Sequence, residues 1–194
     1  MLRQDTSEVD DFSLLERMRR GDEAAFAELF ARHQGPIFRY AMHMCGSAAA
    51  DDVVQDTFLA LVRQTRAREA GGFNPERGTV GAYLFGIARH HVLKRLGDCG
   101  LRTADESSIH DPQSSPLEGL ERAEMISLVR AAVKSLPPVY REVIALCELQ
   151  EMDYAAAAAL LDCPIGTVRS RLHRGRALLT QKLAHIRETA SVER

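Results

Sequence analysis

The chain reads as all-α, with two small helical domains joined by a flexible linker, and three observations predict this. Apolar residues recur at three- and four-residue intervals from Leu14 to about Leu96, with few β-branched runs of the kind strands need. The stretch GDCGLRTADESSIHDPQSSPLEGL, residues 97–120, breaks that periodicity and is rich in Gly, Ser, Pro and Asp, as a connector is. Residues 153–187 then carry two helix signatures around a tight turn, the second of them basic. The expected domains are therefore 1–96 and 121–194, which suits a chain of 194 residues, long enough for one mid-sized or two small cores.

In the first domain Asp22 is an N-cap type residue ahead of a helix with Phe26, Leu29, Phe30 and His33 on one side. Pro36 marks an expected break or kink before Ile37, Phe38, Tyr40 and Met44 continue the face, and Gly46 ends it. The next helix, AADDVVQDTFLALVRQTR, turns Val54, Phe58, Leu61 and Val62 inward and keeps Asp52, Gln55 and Asp56 on a separate acidic face. Asp51 and Asp52 suit a helix N-terminus through its dipole. Gln55 and Asp56 lie too far along for that, so the ridge is either a solvated face or the docking surface of a basic partner helix.

After the turn GGFNPERG, Thr79 caps TVGAYLFGIARHHVLKRL, whose inward stripe is expected to include Tyr83 or Leu84, Ile87, His91 or Val92, and Leu96. Arg89, His90, Lys94 and Arg95 fall on the other face. Aromatic and basic side chains beside an Arg-bearing loop can stack and clamp unpaired bases, although a core aromatic with a snorkelling basic edge has the same composition.

In the second domain Asp153 is the N-cap of an alanine-rich helix ending at Leu160 and Leu161, small enough to let a second helix cross closely. Asp162-Cys163-Pro164 makes the turn, and Gly166-Thr167 lets the backbone tighten as the next helix begins. Ile165, Val168, Leu172 and Leu179 form one narrow stripe at helical spacing, so Arg169, Ser170, His173 and Arg174 point away from it. No acidic residue lies between Cys163 and Arg187, while Arg169, Arg171, Arg174, Arg176, Lys182 and Arg187 are cationic, which favours a polyanion. A helix-turn-helix results; an amphipathic hairpin with solvated arginines would give the same bare pattern.

Net charge is −2, and its spread is uneven: residues 1–120 hold 14 Lys+Arg against 18 Asp+Glu, residues 121–194 hold 11 against 9. The basic character is local to the last helix. Cys45, Cys99, Cys147 and Cys163 show no CxxC spacing, no run approaches a membrane span, and MLRQDTSEVDDF lacks a signal-peptide core. A cytoplasmic protein with reduced thiols and no membrane insertion is expected. His43 with Cys45, and His90, His91 and Cys99, lack a recognised four-ligand zinc spacing, so no metal is expected.

Four segments in order, DEAAFAELFARH, DDVVQDTFLALVRQ, FNPERGTVGAYLFGIARHHVLKRL and LPPVYREVIALCELQEMDYAAAAALLDCPIGTVRSRLHRGRALL, cover nearly all of the chain. With them the chain resembles a bacterial extracytoplasmic-function (group 4) RNA polymerase sigma factor of the sigma-70 family. The resemblance implies a σ2-like domain at 1–96, a linker at 97–120 and a σ4-like helix-turn-helix domain at 121–194, binding core RNA polymerase and directing it to promoter DNA. It implies that Asp52, Gln55, Asp56 and Phe58 meet the β′ clamp helices, while the β flap is a further polymerase contact. Asn74, Arg77, Tyr83, Arg89, His90 and Lys94 would hold the melted −10 element. Thr167, Arg169, Ser170, His173, Arg174 and Arg176 would read the −35 element in the major groove. An anti-sigma factor as a separate regulator, a stress or envelope response, and no catalytic residue or cofactor are also implied.

Departures from the family pattern are Tyr83 where tryptophan is usual, His90 where asparagine is frequent, alanines for glutamates in the first helix of the helix-turn-helix, and Gly175 for a common alanine. The last costs about 1 kcal/mol of helix propensity. Two other classes compete: a dimeric helix-turn-helix regulator that binds duplex operator alone, and a helical nuclease using Asp51, Asp52 and Asp56, which lacks an accompanying His or Lys.

Overall fold

The computed structural model describes residues 10–67, 72–98 and 116–192. Among them are eight α-helices, one 3-10 turn and no strand, in agreement with the all-α expectation. The helices are α1 (Asp11–Arg19), α2 (Glu23–Cys45), α3 (Ser47–Ala67), α4 (Val80–Asp98), α5 (Pro116–Lys134), α6 (Pro138–Cys147), α7 (Tyr154–Leu161) and α8 (Ile165–Val192), with the 3-10 turn at Pro75–Arg77.

Local chemistry explains most boundaries. Asp22 accepts hydrogen bonds from the Ala24 and Ala25 amides, and Gly46, at φ +91, ends α2 in a conformation that L side chains rarely adopt. Pro36 does not break α2, which runs through it. The helix keeps its course because Ile37, Tyr40, Ala41 and Met44 on the far side of the proline are buried with Leu29 on the near side. α5 starts at Pro116, so helix occupies the last residues of the expected linker; residues 99–115, with Cys99 and His110, lie outside the described residues.

The first four helices enclose Leu14, Leu29, Tyr40, Phe58, Leu61 and Leu84. Phe58 is 3 % exposed and sits edge-on to Phe26, with ring centroids 6.1 Å apart, and 4.8 Å from Phe30. In α4 the buried residues are Val80, Leu84, Phe85, Ala88 and Val92, so of the expected alternatives Leu84 and Val92 are the inward ones, while Tyr83, Ile87, His91 and Leu96 are only partly covered. α4 contacts α1, α2, α3 and α7, so its covered surface is wider than a single stripe and takes in Phe85 and Ala88.

In the second half, α6 and α7 pack on α8 through Val143, Ile144, Ala157, Leu161, Val168 and Leu172. Ile165, expected on the inward stripe, is 40 % exposed. The two halves also meet: α5 and α6 lie along α2 and α7 touches α4, so one buried cluster runs through both. Between α2 and α5 a cleft of about 380 Å³ is lined by Phe38, Met42 and His43 on one wall and Met125, Val129 and Arg130 on the other.

Candidate nucleic-acid interface

The helix-turn-helix forms as its sequence directs. Asp153 accepts from the Ala155 and Ala156 amides at 2.9 and 3.0 Å, fixing the start of α7. The turn is made by Asp162, which adopts the left-handed conformation at φ 50 while its amide points back to the carbonyls of Ala158 and Ala159. Gly166 needs no such freedom: it lies inside the first turn of α8 with ordinary φ and nothing within 4 Å of its Cβ position.

Val168 and Leu172 face inward at 0 % and 2 % exposure, so Arg169, Ser170, His173, Arg174 and Arg176 are turned to solvent, with Thr167 half-buried. This face holds four ionisable or cationic groups and no carboxylate of its own. Arg176 differs from the others because Glu148 of the α6–α7 connection accepts from its Nε at 3.2 Å and from its Nη2, and this partner raises its pKa further. Ser170 Oγ donates to the Thr167 carbonyl at 3.0 Å, which leaves the hydroxyl oxygen free to accept. Gly175, which the sequence presents as a loss of helix propensity, lies where α6 crosses α8. A Cβ there would be 3.1 Å from Ile144 Cγ1 and 3.5 Å from Tyr140 Cβ.

The residues expected at a −10 element divide into groups. Asn74 caps the 3-10 turn by accepting from the Glu76 amide at 2.9 Å, and Arg77 ends that turn. His90 and Lys94 are exposed on α4. Tyr83 is partly covered: its ring packs on Phe73 at 5.6 Å, its hydroxyl donates to Gln64, and burial raises its pKa. Arg89 does not point to open solvent, since its Nε donates to Glu142 of α6 at 2.8 Å.

On α3, Asp52 and Gln55 are exposed and Asp56 is 41 % exposed, as the acidic ridge requires. Arg95 of α4 donates to Asp56 at 2.9 Å and lies 3.8 Å from Asp52, so the ridge is partly neutralised within the chain. Phe58 does not belong to this surface. Its place in the aromatic core excludes direct contact with a partner, and the exposed apolar residue of the ridge is Leu59, 44 % accessible. Positions 52, 55, 56 and 59 follow i, i+3, i+4, i+7 spacing, and that signal identifies Leu59 in the sequence once Phe58 is committed to the core. Among the described residues no three His, Cys, Asp or Glu side chains cluster in a way that could hold a metal ion, and no helix is long and apolar enough to cross a membrane.

Comparison with known proteins agrees with this arrangement in both halves. Residues 29–99 match the family model for Sigma-70 region 2, and residues 126–179 that for Sigma-70, region 4. The chain is 30% identical over 177 residues to the ECF RNA polymerase sigma factor SigE of Mycolicibacterium smegmatis, covering 88% of this chain and 67% of that one. It is 29% identical over 192 residues to the ECF RNA polymerase sigma-E factor of Escherichia coli K12, covering 92% and 96%. CnrH, solved in complex with the cytosolic domain of CnrY, superposes with a TM-score of 0.64 at 26% identity, covering 91% of this chain and 97% of that one. The sigma factor RpoE of Bartonella quintana, solved with the anti-sigma factor NepR, has the same fold at 24% identity and a TM-score of 0.64, over 82% and 96% of the two chains. With both regions matched in order and a relative 30% identical over most of the chain, this chain belongs to the sigma-70 family, in its extracytoplasmic-function group.

Proposed function

We propose that this protein is a sigma factor that binds core RNA polymerase, reads the −35 element of a promoter with α8 and holds the opened −10 strand with the 3-10 turn and α4. The observation that carries the reading is the exposed face of α8, Arg169, Ser170, His173 and Arg174, set on a helix-turn-helix whose inner Val168 and Leu172 are covered. An arginine bridging guanine acceptors discriminates bases by about 1–3 kcal/mol, and Ser170 and His173 add base-edge or phosphate contacts. On the first half, Asn74, Arg77, Tyr83, His90 and Lys94 supply stacking and cationic groups for unpaired bases; capturing the opened strand shifts the duplex toward opening. The ridge Asp52, Gln55 and Asp56, with Leu59, offers an acidic face with one apolar anchor to the β′ clamp helices, and the β flap is a second polymerase contact.

The protein makes and breaks no bond; polymerase supplies the chemistry, so the site needs no cofactor or metal. Its work is in the cytoplasm with the polymerase, in a stress or envelope response. A separate anti-sigma factor restrains it, a reading that the likeness to the sigma factor RpoE solved with the anti-sigma factor NepR supports. The domain limits proposed are 1–96, 97–120 and 121–194. Run-off transcription with core polymerase over a random promoter library, sequencing the start sites, tests the function. Specific starts sharing −35 and −10 sequences are expected; no starts, with the protein alone footprinting a palindromic operator, would make it a stand-alone regulator instead.

A further inference from the structure

The reading face of α8 has no carboxylate of its own, yet α6 brings one to its edge. Arg169, His173 and Arg176 follow i, i+4, i+7 spacing and form one row, which Arg176 ends four residues beyond the buried Leu172. There Glu148, the residue that closes α6, accepts from Arg176 Nε at 3.2 Å and, with the same oxygen, from Nη2. Both side chains remain open to solvent, where a duplex would lie.

Packing fixes this contact. Tyr140, Ile144 and Glu148 recur at four-residue spacing along α6, and the first two pack on Gly175, where a Cβ would be 3.5 Å from Tyr140 Cβ and 3.1 Å from Ile144 Cγ1. Because Gly175 has no side chain, α6 crosses α8 closely, and Glu148 meets Arg176 just beyond the crossing. The backbone that carries Glu148 is held as well. Its own amide and that of Leu149 donate to the Ile144 carbonyl at 3.0 and 3.2 Å, and the Met152 amide donates to the Leu146 carbonyl at 3.0 Å. Of the other acids in this connection, Asp153 is committed to the Ala155 and Ala156 amides, and the exposed Glu151 makes no hydrogen bond to α8 among the described residues.

An unpaired guanidinium attracts any phosphate within about a Debye length, about 8 Å at physiological salt, whatever the base sequence. A carboxylate in contact with it cancels that long-range attraction. The short-range chemistry survives: a guanidinium has five N–H donors, Glu148 engages two, and donors remain for a phosphate oxygen brought into contact. We propose that Glu148 is a specificity-determining residue of −35 recognition, cancelling the long-range charge of Arg176 so that this arginine adds affinity on a seated −35 site and little on other DNA. The proposal rests on the sigma-factor reading. Specificity is a difference of affinities, and lowering the competing one serves as well as raising the other. Competing sites far outnumber promoters, so binding to them is the affinity that most needs lowering.

The test uses the full-length protein and two short fluorescent duplexes, one carrying the −35 element shared by the starts sequenced from the random promoter library, the other the same bases scrambled. Anisotropy titrations over a salt series give both affinities. Glu148→Gln keeps an oxygen that can accept from Arg176 and removes the charge. It is expected to tighten binding to the scrambled duplex at least about threefold and to the −35 duplex less than about 1.5-fold, so that their ratio falls at least about twofold. The salt slope on the scrambled duplex is expected to steepen by up to about 0.9, the value of one phosphate contact. In an Arg176→Ala background the same change is expected to leave the ratio unaltered, and Glu151→Gln, in the otherwise unchanged protein, to keep it within about 1.5-fold of wild type. An unchanged ratio in Glu148→Gln, an effect that persists without Arg176, an equal effect from Glu151→Gln, or a wild type that binds both duplexes equally would overturn the role of Glu148. A wild type that starts no transcription anywhere in the library would instead overturn the sigma-factor reading, and the role of Glu148 with it.

Discussion

Asp56 on α3 accepts a 2.9 Å hydrogen bond from Arg95 on α4, joining the acidic ridge to the helix proposed to hold the −10 strand. Asp52, 3.8 Å from the same guanidinium, and His91, 3.8 Å from Asp56, extend the group. The two surfaces are therefore one electrostatic unit, and a partner that engages Asp56 also redistributes the charge around Arg95. Asp56→Ala is expected to weaken core-polymerase binding about tenfold, measured by competition for core enzyme, because it removes a ridge carboxylate. Thermal stability should change by less than about 1 kcal/mol, as befits a partly exposed pair.

Leu59→Asp separates the ridge from the core. Leu59 is exposed whereas its neighbour Phe58 is packed among rings. The substitution is expected to reduce core binding at least about tenfold with an unchanged melting temperature, while Phe58→Ala should cost about 3–5 kcal/mol of stability, seen by denaturant unfolding. Equal unfolding by both variants would contradict this division.

The arginines of α8 are not equivalent. Arg174→Ala is expected to cost about 1–3 kcal/mol of −35 duplex affinity in fluorescence anisotropy. Arg176→Ala should cost less, because Glu148 already engages that guanidinium. Glu148→Ala frees it and should raise affinity for DNA of any sequence, with a steeper dependence on salt.

Gly175 sets helix propensity against space. Alanine would gain about 1 kcal/mol in a helix interior, but its methyl would sit 3.1 Å from Ile144 Cγ1, and Ile144 is itself 1 % exposed. Gly175→Ala should therefore leave stability within about 1 kcal/mol of wild type. With Ile144→Val, which removes Cδ1 and lets the remaining branch shift, the same change should become stabilising. A double-mutant cycle in urea measures the coupling.

His43 gives the fold a pH dependence. Its burial in the cleft between α2 and α5, with Arg130 and then Arg39 nearby, lowers its pKa from 6.5 to about 4. Between those values the unfolded chain carries the proton and the folded one does not. Stability therefore falls as pH drops from about 6.5 to about 4 and levels off below, a loss bounded at about 3 kcal/mol. His43→Gln should flatten that part of the curve in urea titrations at pH 7, 5.5 and 4.5.

The helices, their caps and the outward face of α8 were legible in the chain's local chemistry. Asp22, Asp153 and Gly46 act through their own backbone and immediate neighbours, and Val168 and Leu172 fix a stripe at helical spacing, so local chemistry suffices. Aspartate in the left-handed turn at Asp162, rather than glycine, was less legible, since residue type only biases φ there. Which face of α4 is covered depends on packing, because four neighbouring helices, α1, α2, α3 and α7, share it. Only the tertiary structure assigned Phe58 to the core and Leu59 to the ridge, two adjacent residues that periodicity cannot separate until Phe26 and Phe30 arrive from α2. The close pairing of α6 with α2 and α4 was equally out of reach. Tyr40, Arg89 and Glu142 are scattered over about a hundred positions, and a hydrogen bond depends on position in space, which spacing along the chain does not encode.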